Sequence, residues 1–190
     1  MNMLVSSVHP AQAGVQVALV HTLLDFGAAV DGAGTNGWWT PLMTALAFDY
    51  LDAAKALVQR GARIDSLAVA AGLGRVAEVR NQLGLATAAD RRRALVLAAL
   101  HGRAEIVALL LQAGEDPNRF NPQGMHAHST PLHQAAWSGD VATVRVLVEY
   151  RARVDVRDTG HHRTPLQWAE HGGRAEVVRY LRTLTAANGD

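Results

Sequence analysis

The chain has 190 residues, 49% of them apolar, and its 18 basic and 17 acidic residues give a formal net charge of +1. This near-neutral balance argues against a general binder of polyanions such as nucleic acid. There is no cysteine, which excludes disulfides and thiolate metal sites. No apolar run reaches the roughly 20 residues of a membrane span and no secretory signal pattern opens the chain, so we expect a cytoplasmic protein without a membrane partner.

In chain order, the first predicted element lies at residues 17–28, which match the second helix of the repeat unit described below. A helical pair follows at 40–65. It opens with Thr40 and Pro41, because Thr can accept a hydrogen bond from a free backbone N–H at a helix start and Pro fits the first helical turn. Further helical pairs are predicted at 66–86 and 87–119.

The clearest feature of the sequence is a repeat near its C-terminal end. The segment TPLHQAAWSGD, which starts at Thr130, returns as TPLQWAEHGGR at Thr164, 34 residues later. A period of this length is typical of stacked supersecondary units. The small alanines let neighbouring helices approach closely, and the glycines suit the left-handed turn that ends a helix. No single unit can bury its apolar face alone, so stability is expected to come from stacking.

These segments resemble the ankyrin repeat, whose helix-turn-helix unit reads TPLHxAAxxGHxEVVxLLLxxGADVN. The resemblance implies an all-α ankyrin-repeat solenoid of stacked helix-turn-helix units joined by short β-turn fingers. The units open at residues 40, 65, 93, 130 and 164, in steps of 25, 28, 37 and 34. The steps predict two shortened fingers and one expanded finger.

We expect a single ankyrin-repeat domain over residues 1–190. Its predicted parts are a degenerate N-terminal capping repeat with its finger (1–39), a repeat (40–65), a shortened repeat (66–86), a repeat (87–119), an expanded finger with its repeat (120–158) and a C-terminal capping repeat (159–190). One Lys stands beside seventeen Arg, which we interpret as the composition of a GC-rich genome. We also expect a bacterial protein.

The sequence offers little support for catalysis or for a cofactor. Residues 32–37 fit G-x-G-x-x-G and residues 72–77 fit G-x-G-x-x-A, but a dinucleotide site needs neighbouring parallel strands that this sequence does not predict. The second match also overlays the turn between the helices of the next repeat. No hydrolase, zinc-protease or phosphate-loop motif occurs. We therefore expect a protein that is not an enzyme, has no cofactor and has no small-molecule substrate.

Six histidines fall in the last two repeats, and they leave a second interpretation open. His126 and His128 in one finger and the pair His161-His162 in the next could converge on a divalent cation. His133 occupies the family's own TPLH position, where its ring is expected to be structural. A metal-responsive binding protein is therefore an alternative, and an enzyme without a recognisable motif is a third. The run Arg91-Arg92-Arg93 has an acidic neighbour and is not read as a nucleic-acid site.

Ankyrin repeats usually hold partners on the concave side, formed by the finger tips and the exposed flank of each first helix. The resemblance places these residues at contact positions: Trp38, Trp39, Phe48, His101, Met125, His126, His128, Trp137, His161, His162 and His171. Exposed aromatic and Met side chains commonly anchor interfaces. Trp137 is the preferred anchor, although packing between repeats is an equal alternative for it, and Trp168 is expected to pack inside.

The sequence thus predicts a protein–protein interaction module, either an adaptor or an inhibitor of the immunity type, in which the groove plugs a cognate enzyme. The partner is expected to be another protein. The chain itself is expected to be a monomer.

Overall fold

The computed structural model describes residues 1–32 and 39–187, and of residues 186 and 187 it describes the backbone alone. Within these residues every regular element is an α-helix. None of the described helices combines the length and the apolar character needed to cross a bilayer. The contacts divide the chain into two compact units, residues 1–65 and 66–190. The single-domain boundaries given above stay a prediction.

The described residues of unit 1 form five helices: α1 (Asn2–Val5), α2 (Val8–Gln12), α3 (Gln16–Asp25), α4 (Pro41–Ala47) and α5 (Leu51–Gln59). Helix α4 begins where the Thr-Pro signal predicts, because the Thr40 hydroxyl oxygen accepts a hydrogen bond from the Met43 N–H at 3.1 Å. Helix α5 packs on α3 and α4. On α3, Leu19 and Leu23 remain partly exposed.

Unit 2 contains four helical pairs: α6 (Leu67–Leu73) with α7 (Val76–Leu83), α8 (Ala88–Leu100) with α9 (Ala104–Gln112), α10 (Pro131–Ser138) with α11 (Val141–Glu149), and α12 (Pro165–His171) with α13 (Ala175–Ala187). The first helices stack in the order α6, α8, α10, α12, and the second helices in the order α7, α9, α11, α13. These two rows are the stacked helix-turn-helix units that the repeat predicts.

Small side chains hold the row of first helices together. Ala98, Ala99, Ala135 and Ala136 are all fully buried, and their single methyl groups allow neighbouring helices to pack closely. In the second row, Leu110 of α9 is fully buried as well. Since each helix buries its apolar face only against the neighbouring helices, the stability of one helical pair depends on the pairs stacked beside it.

The loops between pairs follow the predicted finger lengths. The connections at 60–66 and 84–87 are short, whereas the connection at 113–130 is longer than the one at 150–164. In the longest, the Asn121 N–H donates to the Ser129 carbonyl oxygen at 2.8 Å, and in the next loop the Asp158 N–H donates to the Arg163 carbonyl oxygen at 2.9 Å. The first bond closes over eight residues and the second over five, since 129 − 121 = 8 and 163 − 158 = 5. The three extra residues therefore lie between Asn121 and Ser129.

One predicted opening is wrong. The third full unit does not open at Arg93, because helix α8 already begins at Ala88. The Thr87 hydroxyl oxygen accepts from the Asp90 N–H at 3.2 Å and so caps the helix earlier. No Pro follows this Thr, and without the Thr-Pro pair the start was placed too late.

Candidate protein-binding site

Five ring side chains from two adjacent repeats of unit 2 form a continuous set of contacts, which we call the ring cluster: His128, His133, Trp137, Trp168 and His171. Trp168 lies at its centre, with ring centroids 5.7 Å from His128, 5.3 Å from His133 and 6.3 Å from Trp137. The Trp137 and His171 rings are 6.1 Å apart. Because Trp168 comes from α12 and Trp137 from α10, the cluster joins two repeats.

A buried carboxylate fixes the indole of Trp168. The Trp168 Nε1–H donates to Asp158 Oδ2 at 2.9 Å. The same carboxylate accepts from three backbone N–H groups of its own turn, those of Gly160, His161 and Arg163, at 2.8, 2.6 and 3.0 Å. Burial alone would raise the pKa of Asp158, but these hydrogen bonds outweigh it and hold the pKa well below its usual value. The ionised Asp158 therefore organises the finger at 158–163.

His133 is a structural residue, as its place in the TPLH motif predicts. Its Nδ1 accepts a hydrogen bond from the Thr130 N–H at 3.2 Å. Its Nε2 therefore carries the proton and donates to the Arg163 carbonyl oxygen of the next repeat at 3.1 Å. Burial lowers the pKa of His133 below that of a free imidazole, so the ring is neutral at pH 7. The neutral ring caps α10 and ties it to the following finger.

Trp137 is both packed and accessible. One side of its ring lies against Trp168 and His171, yet 36% of the residue is exposed. Its carbonyl oxygen accepts from Arg174 Nε at 2.8 Å, which ties the end of α10 to the start of α13. A large aromatic side chain that is held by its neighbours and still open to solvent suits an interface anchor, because little side-chain freedom is lost on binding.

The structure brings together His128, Trp137 and His171 of the predicted contact residues, and His126 lies beside them with its ring 6.1 Å from that of His128. His161 and His162 are exposed on the adjacent finger, but their rings make none of the ring contacts found among the described residues.

Two predicted contact residues are not accessible. The prediction that Met125 is exposed is wrong: 1% of it is accessible, because the turn closed by the Met125 N–H and the Pro122 carbonyl oxygen directs the side chain inward. His101 is also buried, at 8%, since it follows α8 where the neighbouring first helices cover the chain. The resemblance places Met125 on a finger and His101 on the flank of a first helix, and neither position alone reports burial.

The remaining predicted residues belong to unit 1. Phe48 is 47% exposed and stacks on Tyr50, with ring centroids 6.4 Å apart. The Trp39 carbonyl oxygen accepts from the Asn2 side-chain amide at 3.1 Å, and the residue is half-buried. Trp38 lies outside the described residues, as does most of the first glycine motif, at 33–37.

The histidines do not assemble a metal site among the residues that the structure describes. No group of three or more His, Asp or Glu side chains there is arranged to hold an ion. Asp158, the carboxylate closest in sequence to His161 and His162, already accepts four N–H donors. The metal-responsive alternative therefore gains no support from the geometry.

Sequence reasoning missed Asp158 as the centre of the last finger. Two signals were available. An acidic residue stands two positions before Gly160, a spacing typical of a turn in which a carboxylate accepts from the backbone. In addition, a Trp that packs between helices needs a hydrogen-bond acceptor for its indole N–H. Neither signal identifies Asp158 and Trp168 as partners, because their hydrogen bond joins positions ten residues apart across a loop.

Comparison with known proteins agrees with this architecture. A family model described as ankyrin repeats (3 copies) matches residues 95–189, and one described as ankyrin repeat matches residues 38–68. The chain is 40% identical over 131 residues to cyclin-dependent kinase inhibitor 2A of Homo sapiens, covering 66% of this chain and 79% of that protein. It is 35% identical over 136 residues to cyclin-dependent kinase 4 inhibitor B of Homo sapiens, covering 69% and 95%.

A putative E3 ubiquitin-protein ligase, XBAT31 of Arabidopsis thaliana, is 34% identical over 105 residues, covering 55% of this chain and 22% of that protein. The first family model alone matches half of the chain, and its matched range contains both the Thr-Pro repeats and the ring cluster. The chain therefore belongs to the ankyrin repeat family and is a protein-binding module.

Proposed function

We propose that this chain inhibits a protein kinase of the cyclin-dependent class by binding to it, and that it catalyses no reaction itself. The support comes from the names of two relatives, which are inhibitors of such kinases. The chain covers 79% and 95% of these proteins. The similarity therefore extends through most of each inhibitor and is not limited to one repeat.

The proposed contact surface is the part of unit 2 that carries Trp137 and His171. Trp137 is the observation that carries the assignment: it is a large apolar side chain with 36% of its surface exposed, and its ring is held in place by Trp168. Most of the binding energy of an interface usually comes from a few residues of this kind. His171 is exposed next to it and extends the surface along α12.

Replacing Trp137 by Ala tests this proposal. We expect the Kd for cyclin-dependent kinase 4, measured by titration calorimetry, to rise by about 30-fold, which corresponds to the roughly 2 kcal/mol of a hot-spot residue. The matched control is Leu85→Ala, because Leu85 is a large apolar side chain of unit 2 that is 90% exposed in the short connection between α7 and α8, outside the ring cluster and outside the loops 113–130 and 150–164. Equal affinities of the two variants, with unchanged circular dichroism, would contradict the site. An absence of binding by the unmodified chain would contradict the kinase assignment.

The proposal extends to the biological setting. A bacterial source is also part of the proposal: the single Lys beside seventeen Arg fits a GC-rich genome, whereas the relatives named above come from an animal and a plant. A cytoplasmic location, a monomeric state and an adaptor role as the alternative to inhibition are further parts of the proposal. So is the expectation that the partner is neither a nucleic acid nor a small molecule.

A further inference from the structure

The two long loops of unit 2, residues 113–130 and 150–164, contain five arginines and four acidic residues, and most of these arginines are exposed without an ion pair. We call these loops the finger surface. Four of its arginines are exposed and form no ion pair with any acidic residue of the described chain: Arg119, Arg151, Arg157 and Arg163. Within the described residues, Arg157 alone of these four uses its guanidinium in a hydrogen bond, donating from Nη1 to the His162 carbonyl oxygen at 2.8 Å.

The acidic groups of the same loops are all engaged within the fold. Asp158 is buried under its four N–H donors. Asp155 pairs with Arg153 at 3.1 Å, and Glu115 pairs with Arg91 at 3.1 Å. Asp116 accepts from the Asn118 N–H at 2.8 Å. Asp155 and Asp158 lie beside the arginines in sequence, but their carboxylates face contacts of their own.

Hydrogen bonds join the two loops into one surface. The Asn118 side-chain amide donates to the Arg151 carbonyl oxygen at 3.0 Å, and Asn118 Oδ1 accepts from the Arg153 N–H at 2.8 Å. Further along, the Thr159 N–H donates to the His128 carbonyl oxygen at 2.8 Å. The loops that carry these arginines are therefore hydrogen-bonded to each other, and the same loops carry His128 of the ring cluster.

We infer that the finger surface binds an acidic segment of the protein partner, rich in Asp and Glu, while the ring cluster binds an apolar side chain nearby. This inference rests on the proposed function, since it names the chemistry of the partner held at the same face. Guanidinium groups bind carboxylates well because their planar donors match the two oxygens. Charges at the rim of an interface mainly accelerate association and fix its orientation.

A protein segment fits better than a nucleic acid. Binding of single strands needs aromatic faces open to stacking bases between the cations. Here His133 is buried, and Trp168 is half-buried with His128 and Trp137 against it. The faces of His133 and Trp168 are thus occupied by other rings, which leaves the partly exposed Trp137 and the imidazoles of His126, His161 and His162 open to solvent. The formal net charge of +1 also argues against a polyanion as the ligand.

The test measures binding of fluorescein-labelled decaglutamate by anisotropy at about 20 mM salt, where screening is weak. Decaglutamine and a ten-nucleotide thymidine strand serve as comparison probes. The variant Arg119→Gln/Arg163→Gln removes one free charge from each loop, and Arg75→Gln/Arg179→Gln removes two exposed charges elsewhere in unit 2. Circular dichroism checks that both variants fold.

We expect decaglutamate to bind and decaglutamine not to bind. The finger variant should weaken binding roughly three-fold or more, an effect that disappears at about 0.5 M salt, while the other variant changes little. Equal loss in both variants, or no preference for decaglutamate over decaglutamine, would overturn the inference. Tighter binding of the thymidine strand would also overturn it and would point to nucleic acid. No kinase enters this assay, so its failure is distinguishable from failure of the Trp137 test.

Discussion

At the scale of single residues, two buried titratable groups organise the last two repeats, and the fold favours the charged form of one and the neutral form of the other. Asp158 is stabilised as an anion by four N–H donors, whereas His133 is held neutral by burial. The role of His133 was predictable, because the family motif contains it. Asp158 was not predictable as a partner of Trp168, because only the folded loop brings carboxylate and indole together.

The neutral state of His133 predicts a loss of stability in acid. Its pKa is lowered in the folded protein by burial, so the unfolded chain binds more protons once the pH falls below about 6.5. The contribution of His133 is complete above that pH and declines as the pH falls toward the lowered folded pKa. We expect the free energy of unfolding, from urea titrations, to decrease between about pH 7.5 and 5.5.

The variant His133→Gln isolates this effect. Gln167 already occupies the equivalent place in the next repeat, where its Oε1 accepts from the Thr164 N–H at 2.9 Å. A Gln at 133 keeps the cap but does not titrate, so the decrease between the two pH values should be smaller than in the unmodified chain. An equal decrease in both proteins would show that other histidines cause it.

At the scale of helices and turns, the Thr-Pro pairs at residues 40, 130 and 164 set where α4, α10 and α12 begin, and sequence reasoning located all three. It misplaced α8, which starts with a Thr that no Pro follows. The turns are more demanding than the helices. Gly139 has φ +87°, and a Cβ there would lie 2.7 Å from Arg174 Cδ. The backbone conformation of this turn favours glycine, and a Cβ would also force the Arg174 side chain to shift.

Gly139→Ala is expected to destabilise unit 2 more than Gly173→Ala. Both glycines have positive φ, but a Cβ at Gly173 would meet nothing within 4 Å. The second variant should therefore lose only the roughly 1–2 kcal/mol of a left-handed alanine. The first should lose about 0.5–1.5 kcal/mol more, because the Arg174 side chain must move and release its hydrogen bond to the Trp137 carbonyl oxygen. Thermal unfolding of both variants measures the difference, and equal losses would contradict the crowding argument.

At the scale of the whole chain, the repeat period fixed the class of fold and the relative lengths of the fingers, because both depend on spacing alone. Burial within the loops did not follow from spacing, as Met125 shows. The stacking of unit 2 makes its second helices interdependent: α9 packs against both α7 and α11. A cavity created in α9 should therefore weaken its packing against both neighbouring helices.

Leu110→Ala tests this interdependence. Leu110 is fully buried, so its truncation should lower the free energy of unfolding by about 2–5 kcal/mol in urea titrations. The adjacent Leu109 is only half-buried, and Leu109→Ala should cost roughly half as much or less. Similar losses for the two variants would mean that α9 is not clamped between its neighbours.

The closing bond between Asn121 and Ser129 has a consequence for how such a chain can change. Its counterpart between Asp158 and Arg163 spans three fewer residues, yet each loop delivers the chain to a capped helix, α10 or α12. Inside the longer bond, Met125 is buried and His128 belongs to the ring cluster, whereas Gln123 and Gly124 at the tip of the loop are exposed. New recognition sequences can therefore be inserted at residues 123 and 124 while Met125, His128 and the stacked helices keep their places, which makes this tip suitable for grafting a different specificity.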